Sequence, residues 1–256
     1  MSQNRWVVTP EHYTEAERRY RDPADSGMVA QSVQVFYETD PAQHKATIPP
    51  PLEAHEIPEV WVSIGWMPLI SLGVAQVALR CRLAGEEGWY CLHLPMTTEA
   101  AVVGGRERFG ENKKIADIRF ANDDGTISAG VTRYGTTYLE VEGTEVEELA
   151  PPAEEVVPHF YFKYSLAADG QGYDHEPVLI RSVHTRKPKL LRRLEATLTL
   201  RDSDTDPVAD LPVVRQTAAF YTERTAYIRA ARADVEVDPA AFLPYVYQRY
   251  DYAGQG

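Results

Sequence analysis

The chain has only two cysteines in 256 residues, Cys81 and Cys91. Their spacing suits neither a disulfide framework nor a zinc knuckle, so both read as core thiols. Seven histidines, at 12, 44, 55, 93, 159, 175 and 184, include no pair at ligand spacing. No metal and no other cofactor is therefore expected, and His93, in an apolar strand, reads as a hydrogen-bonded core residue. No run approaches the roughly 18 apolar residues of a membrane span. Met1 to Arg5 lead into a charged segment and not an apolar signal core. Positive charge is scarce: 26 Lys and Arg stand against 38 Asp and Glu, a net charge of −12. That balance argues against nucleic acid or an anionic membrane as a main partner. Glycine-rich phosphate loops and Gly-x-Ser-x-Gly elbows are missing as well. A cytoplasmic protein long enough to bury a substantial core is expected.

What is present is a succession of short β patterns. Ser32 to Tyr37 alternates polar and apolar residues, as a half-buried strand does. The proline run Pro49-Pro50-Pro51 precedes an apolar segment, Val60 to Ile64. Further β runs lie at Val74 to Leu83, Trp89 to Leu94, Ala101 to Val103, Thr126 to Tyr134, Thr137 to Val141, Tyr161 to Ser165, Pro177 to His184 and Leu194 to Leu200. Asn122-Asp123-Asp124-Gly125 is a strong turn signal and Tyr134-Gly135 a weaker one. The acidic stretch Glu140 to Val157 reads as a surface loop with a short helix. Ala218 to Ala233 and Pro239 to Tyr250 read as terminal helices. The basic run Arg186, Lys187, Lys189, Arg192 and Arg193 reads as a solvated hairpin or subunit contact. Residues 1–28, with a short helix after Thr9, make an N-terminal arm, and 29–256 a single domain. The fold class is mainly β with peripheral helices, an antiparallel barrel or sandwich.

The segment richest in chemistry is Gly105-Arg106-Glu107-Arg108-Phe109-Gly110-Glu111-Asn112-Lys113-Lys114. It lies between the apolar Ala100 to Val103 and the semi-alternating Ile115 to Phe120, which suggests part-buried lysines. An unperturbed lysine, with pKa about 10.4, is a free amine roughly once in 2500 molecules at pH 7. Desolvation or a neighbouring cation must lower that value before the amine attacks a carbonyl efficiently. In a regular strand Lys113 and Lys114 face opposite ways. Alternation alone buries Lys114, on the side of Ala116, Ile118 and Phe120.

These residues resemble the lysine motif of the acetoacetate decarboxylase superfamily, in which Gly-Arg-Glu is followed by two adjacent lysines. Asp206-Pro207-Val208-Ala209-Asp210-Leu211-Pro212-Val213 is similar to that family's later Asn/Asp-Leu-Pro-Val block. Weaker echoes are Tyr37-Glu38-Thr39-Asp40 before the proline run, and Asp169-Gly170. Together they span residues 30 to 235 in the family's order. The resemblance implies a curved, cone-like antiparallel β-barrel with peripheral helices, and a homo-oligomer. It assigns the Schiff-base nucleophile to Lys113 and a charge-modulating role to Lys114. Arg106, with Glu107 as its ion-pair partner, then presents a planar fork to the carboxylate of a small keto-acid substrate. The family's pattern also includes an arginine where this sequence has Ala30. Two glutamates fall at Ser63 (or Val62) and near Gln76, which is taken as a substrate-binding position. No acidic residue lies between Glu59 and Glu86. The implied activity is that of a Schiff-base carbon–carbon lyase, of pyruvate-type aldolase, dehydratase or retro-aldolase chemistry. Decarboxylation of acetoacetate or another β-keto acid is the near alternative, and a non-catalytic barrel binding a small carboxylate the alternative of another class.

Overall fold

A computed structural model describes residues 29–251, and before them Val7, Thr9 to His12 and Thr14. The expected N-terminal arm therefore lies almost wholly outside the described residues. In chain order the elements are β1 (Ala30–Glu38), α1 (Pro41–Thr47), β2 (Glu53–Ala54), β3 (Glu59–Met67), β4 (Leu72–Leu83), β5 (Glu86–Met96) and α2 (Glu99–Phe109). They continue as β6 (Lys113–Ile115), β7 (Asp117–Asp123), β8 (Thr126–Arg133), β9 (Thr136–Leu149), β10 (Glu155–Leu166), β11 (Tyr173–Leu200) and β12 (Arg215–Arg232). Helix α3 (Pro239–Phe242) runs on as 3₁₀ turns through Leu243–Arg249. None of the described helices is long and apolar enough to cross a membrane.

Strand pairing follows the order β10-β5-β4-β3-β1-β12-β11, and β11 pairs again with β10, so this path closes into a ring. The 28-residue β11 pairs with β10 through its first half and with β9 through its second, and β8 and β7 continue from there. Alternate residues of the ring strands have different surroundings. One set, including Val33, Val35, Val62, Ile64, Val77 and Leu79, is fully buried with β8, β9, Phe242 and Val246 in the main apolar core. The other set points into the lumen. Its side chains meet across strands that are not hydrogen-bonded neighbours. The Arg186 guanidinium lies 4.4 Å from the Trp61 ring centre, Trp61 is 5.7 Å from His159, and Phe36 is 6.1 Å from Trp89.

Several expectations are corrected here. Ala101 to Val103 is not a strand but the first half of α2. The acidic stretch from Glu140 is β9 as far as Leu149, and β10 begins at Glu155. Ala218 to Ala233 is no helix; it lies within or just beyond β12, held between β1 and β11. Its alanines favour helix locally, but β1 pairs with it as far as Arg224 and β11 from Phe220 onward, and tertiary pairing prevails. The basic run is not a hairpin either. It sits mid-way along β11, where Arg192 pairs with Glu145 and Glu148, Arg193 pairs with Glu147, and Arg186 is buried in the lumen. The turns at Asp124-Gly125 and Tyr134-Gly135 are present, each pair with positive φ. Cys81 and Cys91 are both free and buried.

Candidate active site

Helix α2 lies across one end of the ring, against β5, β6 and β10. Thr98 precedes it in extended conformation, with Glu99 in the first turn and Arg106 and Arg108 in the last, charges that suit the helix dipole. Gly110 ends it in the left-handed region (φ 72°), its N–H donating to Arg106 O at 3.0 Å. The chain then turns sharply into β6. Asn112 fixes the turn: its amide donates to Leu92 O at 3.0 Å, and its carbonyl accepts from Leu94 N at 3.1 Å.

Lys113, the first residue of β6, runs beneath α2. A Cβ on Gly105 would lie 2.5 Å from Lys113 Nζ and Cδ, and closer still to Glu111 Oε2. The helix thus approaches the lysine through a glycine because no side chain fits between them. Glu111 Oε2 stands 2.8 Å from Lys113 Nζ, an ion-pair contact without hydrogen-bond alignment. Both groups are secluded, with side-chain exposures of 12% and 7%.

The lumen they enter is lined with polar atoms. Gln76 Nε2, Glu111 Oε2, His159 Nε2, His184 Nε2 and Trp61 Nε1 are all buried without a hydrogen-bond partner. Buried polar atoms are rarely left so unless water or a ligand meets them. His159 and His184 stack at 4.1 Å. Burial pushes His159 down to about 3 and His184 well below the usual histidine value, so both are neutral at pH 7. Burial also raises the Tyr161 hydroxyl well above its ordinary value and raises the Cys91 thiol, which keeps both protonated. The charges of Lys113, Arg186 and Arg224 all bear on His184.

Lys114 turns the other way, as strand alternation requires. Its Nζ donates to Thr205 O at 2.7 Å and to Asp206 Oδ1 at 3.0 Å, and lies 3.1 Å from Asp251 Oδ1. Arg133 joins both carboxylates, at 2.7 Å to Asp206 and 2.8 Å to Asp251. His93 shares the cluster, 2.7 Å from the Tyr138 hydroxyl and 3.6 Å from Asp206, and burial pushes it down to about 3. An extra residue, Leu92, interrupts the β4–β5 register next to His93, so Leu92 and His93 both line a cavity of about 280 Å³ beside Lys114 and Asp206. The partners of the two lysine amines are thus disjoint, and the charge-modulating role expected of Lys114 has no short contact to rest on.

Arg106 is likewise placed apart from Lys113. Its guanidinium lies 5.4 Å from the Tyr250 ring centre, in a cleft it shares with Lys114 and Asp251. No Arg106–Glu107 ion pair forms among the described residues; adjacent helix residues diverge by about 100°. Nor, among the described residues, does any group of three or more His, Cys, Asp or Glu converge as a metal would need.

A sequence model of acetoacetate decarboxylase matches residues 9–236. The chain belongs to the acetoacetate decarboxylase family. It is 28% identical over 242 residues to a protein of Lactiplantibacillus plantarum named CLA biosynthesis isomerase, covering 84% of this chain and 85% of that one. To the acetoacetate decarboxylase of Ralstonia nicotianae it is 28% identical over 193 residues, 70% of this chain and 76% of the relative. Among solved structures, the acetoacetate decarboxylase of Legionella pneumophila superposes with a TM-score of 0.73 at 17% identity, over 91% of this chain and 98% of that one. The enduracididine biosynthesis enzyme MppR, complexed with the condensation product of pyruvate and imidazole 4-carboxaldehyde, superposes with a TM-score of 0.67 at 15% identity, over 80% and 87%. The relatives' names cover more than one reaction, while the fold is common to the decarboxylase and MppR structures.

Against the family's pattern, Ser63 and Gln76 are direct cross-strand partners on the lumen face, one pair along from Trp61 and Ala78. Val62 faces the apolar core. The places expected for the family's two glutamates thus hold a hydroxyl and an amide. Ala30, in the place of the family's arginine, is the cross-strand partner of Arg224. Glu111, His159, His184, Arg186 and Arg224 join the site only through the fold. Period-2 counting holds the signal for most of them: Glu111 is two residues before Lys113, and Ser182, His184 and Arg186 recur along one face of β11.

Proposed function

We propose that this family member is a Schiff-base enzyme in which Lys113 attacks the carbonyl carbon of a small oxo acid. The observation that carries this reading is the enclosed Lys113–Glu111 pair beneath Gly105, at the head of a lumen lined with unpartnered polar atoms. Glu111, 2.8 Å away, is the carboxylate to which the ammonium can pass its proton, a transfer favoured by the cost of keeping an ion pair secluded from water. Once Lys113 is deprotonated, its lone pair adds to the carbonyl carbon. Loss of the oxygen as water then leaves a protonated imine, which accepts the electron pair of a breaking C–C or C–H bond. Glu111 is placed to return and remove protons in these steps.

Ser63 and Gln76 favour aldol addition and dehydration over loss of CO₂. A glutamate beside the substrate's own carboxylate repels it. A neutral hydroxyl and amide instead donate hydrogen bonds to it and retain it. Decarboxylation of a β-keto acid is the second reading, supported by the likeness to the Ralstonia enzyme over 193 residues. The same reading includes a small keto acid as partner and assembly of several copies of this chain.

The test is to supply pyruvate with an aromatic aldehyde and follow the absorbance of the conjugated acid, and separately to follow CO₂ release from acetoacetate. Conjugated product from wild type and none from Lys113→Ala supports the aldolase–dehydratase assignment. CO₂ alone would replace it with the decarboxylase. Neither product would leave a barrel that binds its acid without transforming it.

A further inference from the structure

Arg186 and Arg224 are two guanidinium groups held at the Trp61 end of the lumen. Arg186 is 6% exposed. It stacks on Trp61 at 4.4 Å, and among the described residues it has no ion pair. Arg224 donates to Ser32 Oγ at 2.6 Å and also has none among the described residues. Glu155, the cross-strand partner of Arg186, acts on both through its charge but stands beyond ion-pair distance. Each cation also repels the other. Burial, the larger effect, pushes Arg186 down to about 9 and Arg224 to about 10, so both remain cationic at pH 7.

A buried guanidinium beside a half-buried one, with no carboxylate paired to either among the described residues, is costly, and an anion between them would relieve that cost. The surroundings suit such an anion. The rings of His159 and His184 are neutral, each with Nε2 unpartnered, and Trp61 Nε1 is an unpartnered donor. No carboxylate pairs with either arginine among the described residues.

We infer that Arg186 and Arg224 form a second anion subsite, so that the substrate is an oxo acid carrying a further carboxylate remote from its carbonyl. The inference rests on the reading of Lys113 as the imine-forming amine. Lys113 is near Cys91, whose thiol its charge affects, while Arg186 is at the level of Trp61 and Trp89. Trp89 is two strand residues from Cys91, about 7 Å along the lumen. The substrate is then an elongated diacid with its ketone towards α2 and its distal acid on the two arginines. Arg224 also supplies a cation next to Ala30, where the family's pattern has an arginine.

The test separates this subsite from the imine chemistry by using ligands without a ketone. Titration calorimetry on the full chain compares adipate with hexanoate, which differ only by the terminal carboxylate. Adipate is expected to bind at least about tenfold more tightly, the effect of charge-assisted hydrogen bonds in a secluded site. Arg186→Gln and Arg224→Gln, each checked for native circular dichroism, should each remove that advantage. Equal binding of the two acids by wild type would overturn the subsite, even if a variant does not fold. An adipate advantage that survives in both variants would overturn it too. Borohydride trapping with 2-oxoadipate and 2-oxohexanoate runs in parallel. Failure to trap either ketone while adipate binds would refute the Lys113 reading and leave the subsite standing.

Discussion

At Gly105 a single absent carbon decides whether Lys113 has room beneath the helix. An alanine there would drive its methyl against Lys113 Nζ and the Glu111 carboxylate, both ends of side chains and not backbone. Those ends move aside at small cost, so Gly105→Ala should keep the fold, with melting within a few degrees of wild type, yet lose at least about tenfold in ketone trapping. Normal trapping in that variant would show that the pair's position is unimportant. Lys113 and Lys114 were legible as a motif, and their divergence follows from period-2 alternation. Which amine faces which surroundings was not legible. The apolar neighbours Ala116 and Ile118 pointed to burial of Lys114, but its burial is ionic, against Asp206 and Asp251. Those carboxylates arrive from segments about 90 and 140 residues further along the chain, a distance that no local pattern spans.

Helix α2 and strand β12 were misread for opposite reasons. The Val102-Val103 pair and two glycines speak against helix, but Glu99, Arg106 and Gly110 are sound start and stop signals. β12 is rich in alanine, and only its place in the ring makes it a strand. Gly104 within α2 and Gly110 just past its end have different reasons to exist. Gly104 has open space where a Cβ would go, whereas Gly110 has φ 72° and would place a Cβ 2.5 Å from Lys163 Cα. Gly104→Ala should therefore stabilise by about 0.5–1 kcal/mol. Gly110→Ala should destabilise by about 2 kcal/mol or more, through both the left-handed backbone and the collision. Urea midpoints check both; a neutral Gly110→Ala would mean that the helix end is loosely seated.

Over the whole molecule, four imidazoles are held neutral by burial, in α1, β5, β10 and β11. Burial pushes His44 down to about 4 and His93 and His159 to about 3, with His184 well below its usual value. An unfolded chain takes up protons on all four as pH falls past about 6.5, and the folded chain does not. Their contribution to stability is complete above that pH and is lost on acidification, at about 1.4 kcal/mol per histidine per pH unit. Asp206 and Asp251 are also held low, beside Lys114 and Arg133, but their contribution is lost only below about 3.8. Melting temperature should thus fall steeply between pH 6.5 and 4, before the contribution of Asp206 and Asp251 is lost, and a flat profile there would mean that these rings are solvated. The mainly β class, the strands β1, β3, β4, β5 and β8, and the family were all legible in local alternation and motif. Closure into a barrel was implied by the resemblance alone and not by local alternation, because the β10–β11 pairing that completes it joins segments without a local signal.

The most direct test is borohydride reduction of the protein with pyruvate, acetoacetate and 2-oxoadipate, followed by peptide mapping of the adduct. The lumen geometry predicts one adduct, on Lys113, with at least one of these ketones. An adduct on Lys114, or none with any ketone across a range of pH, would contradict the assignment of Lys113 as nucleophile.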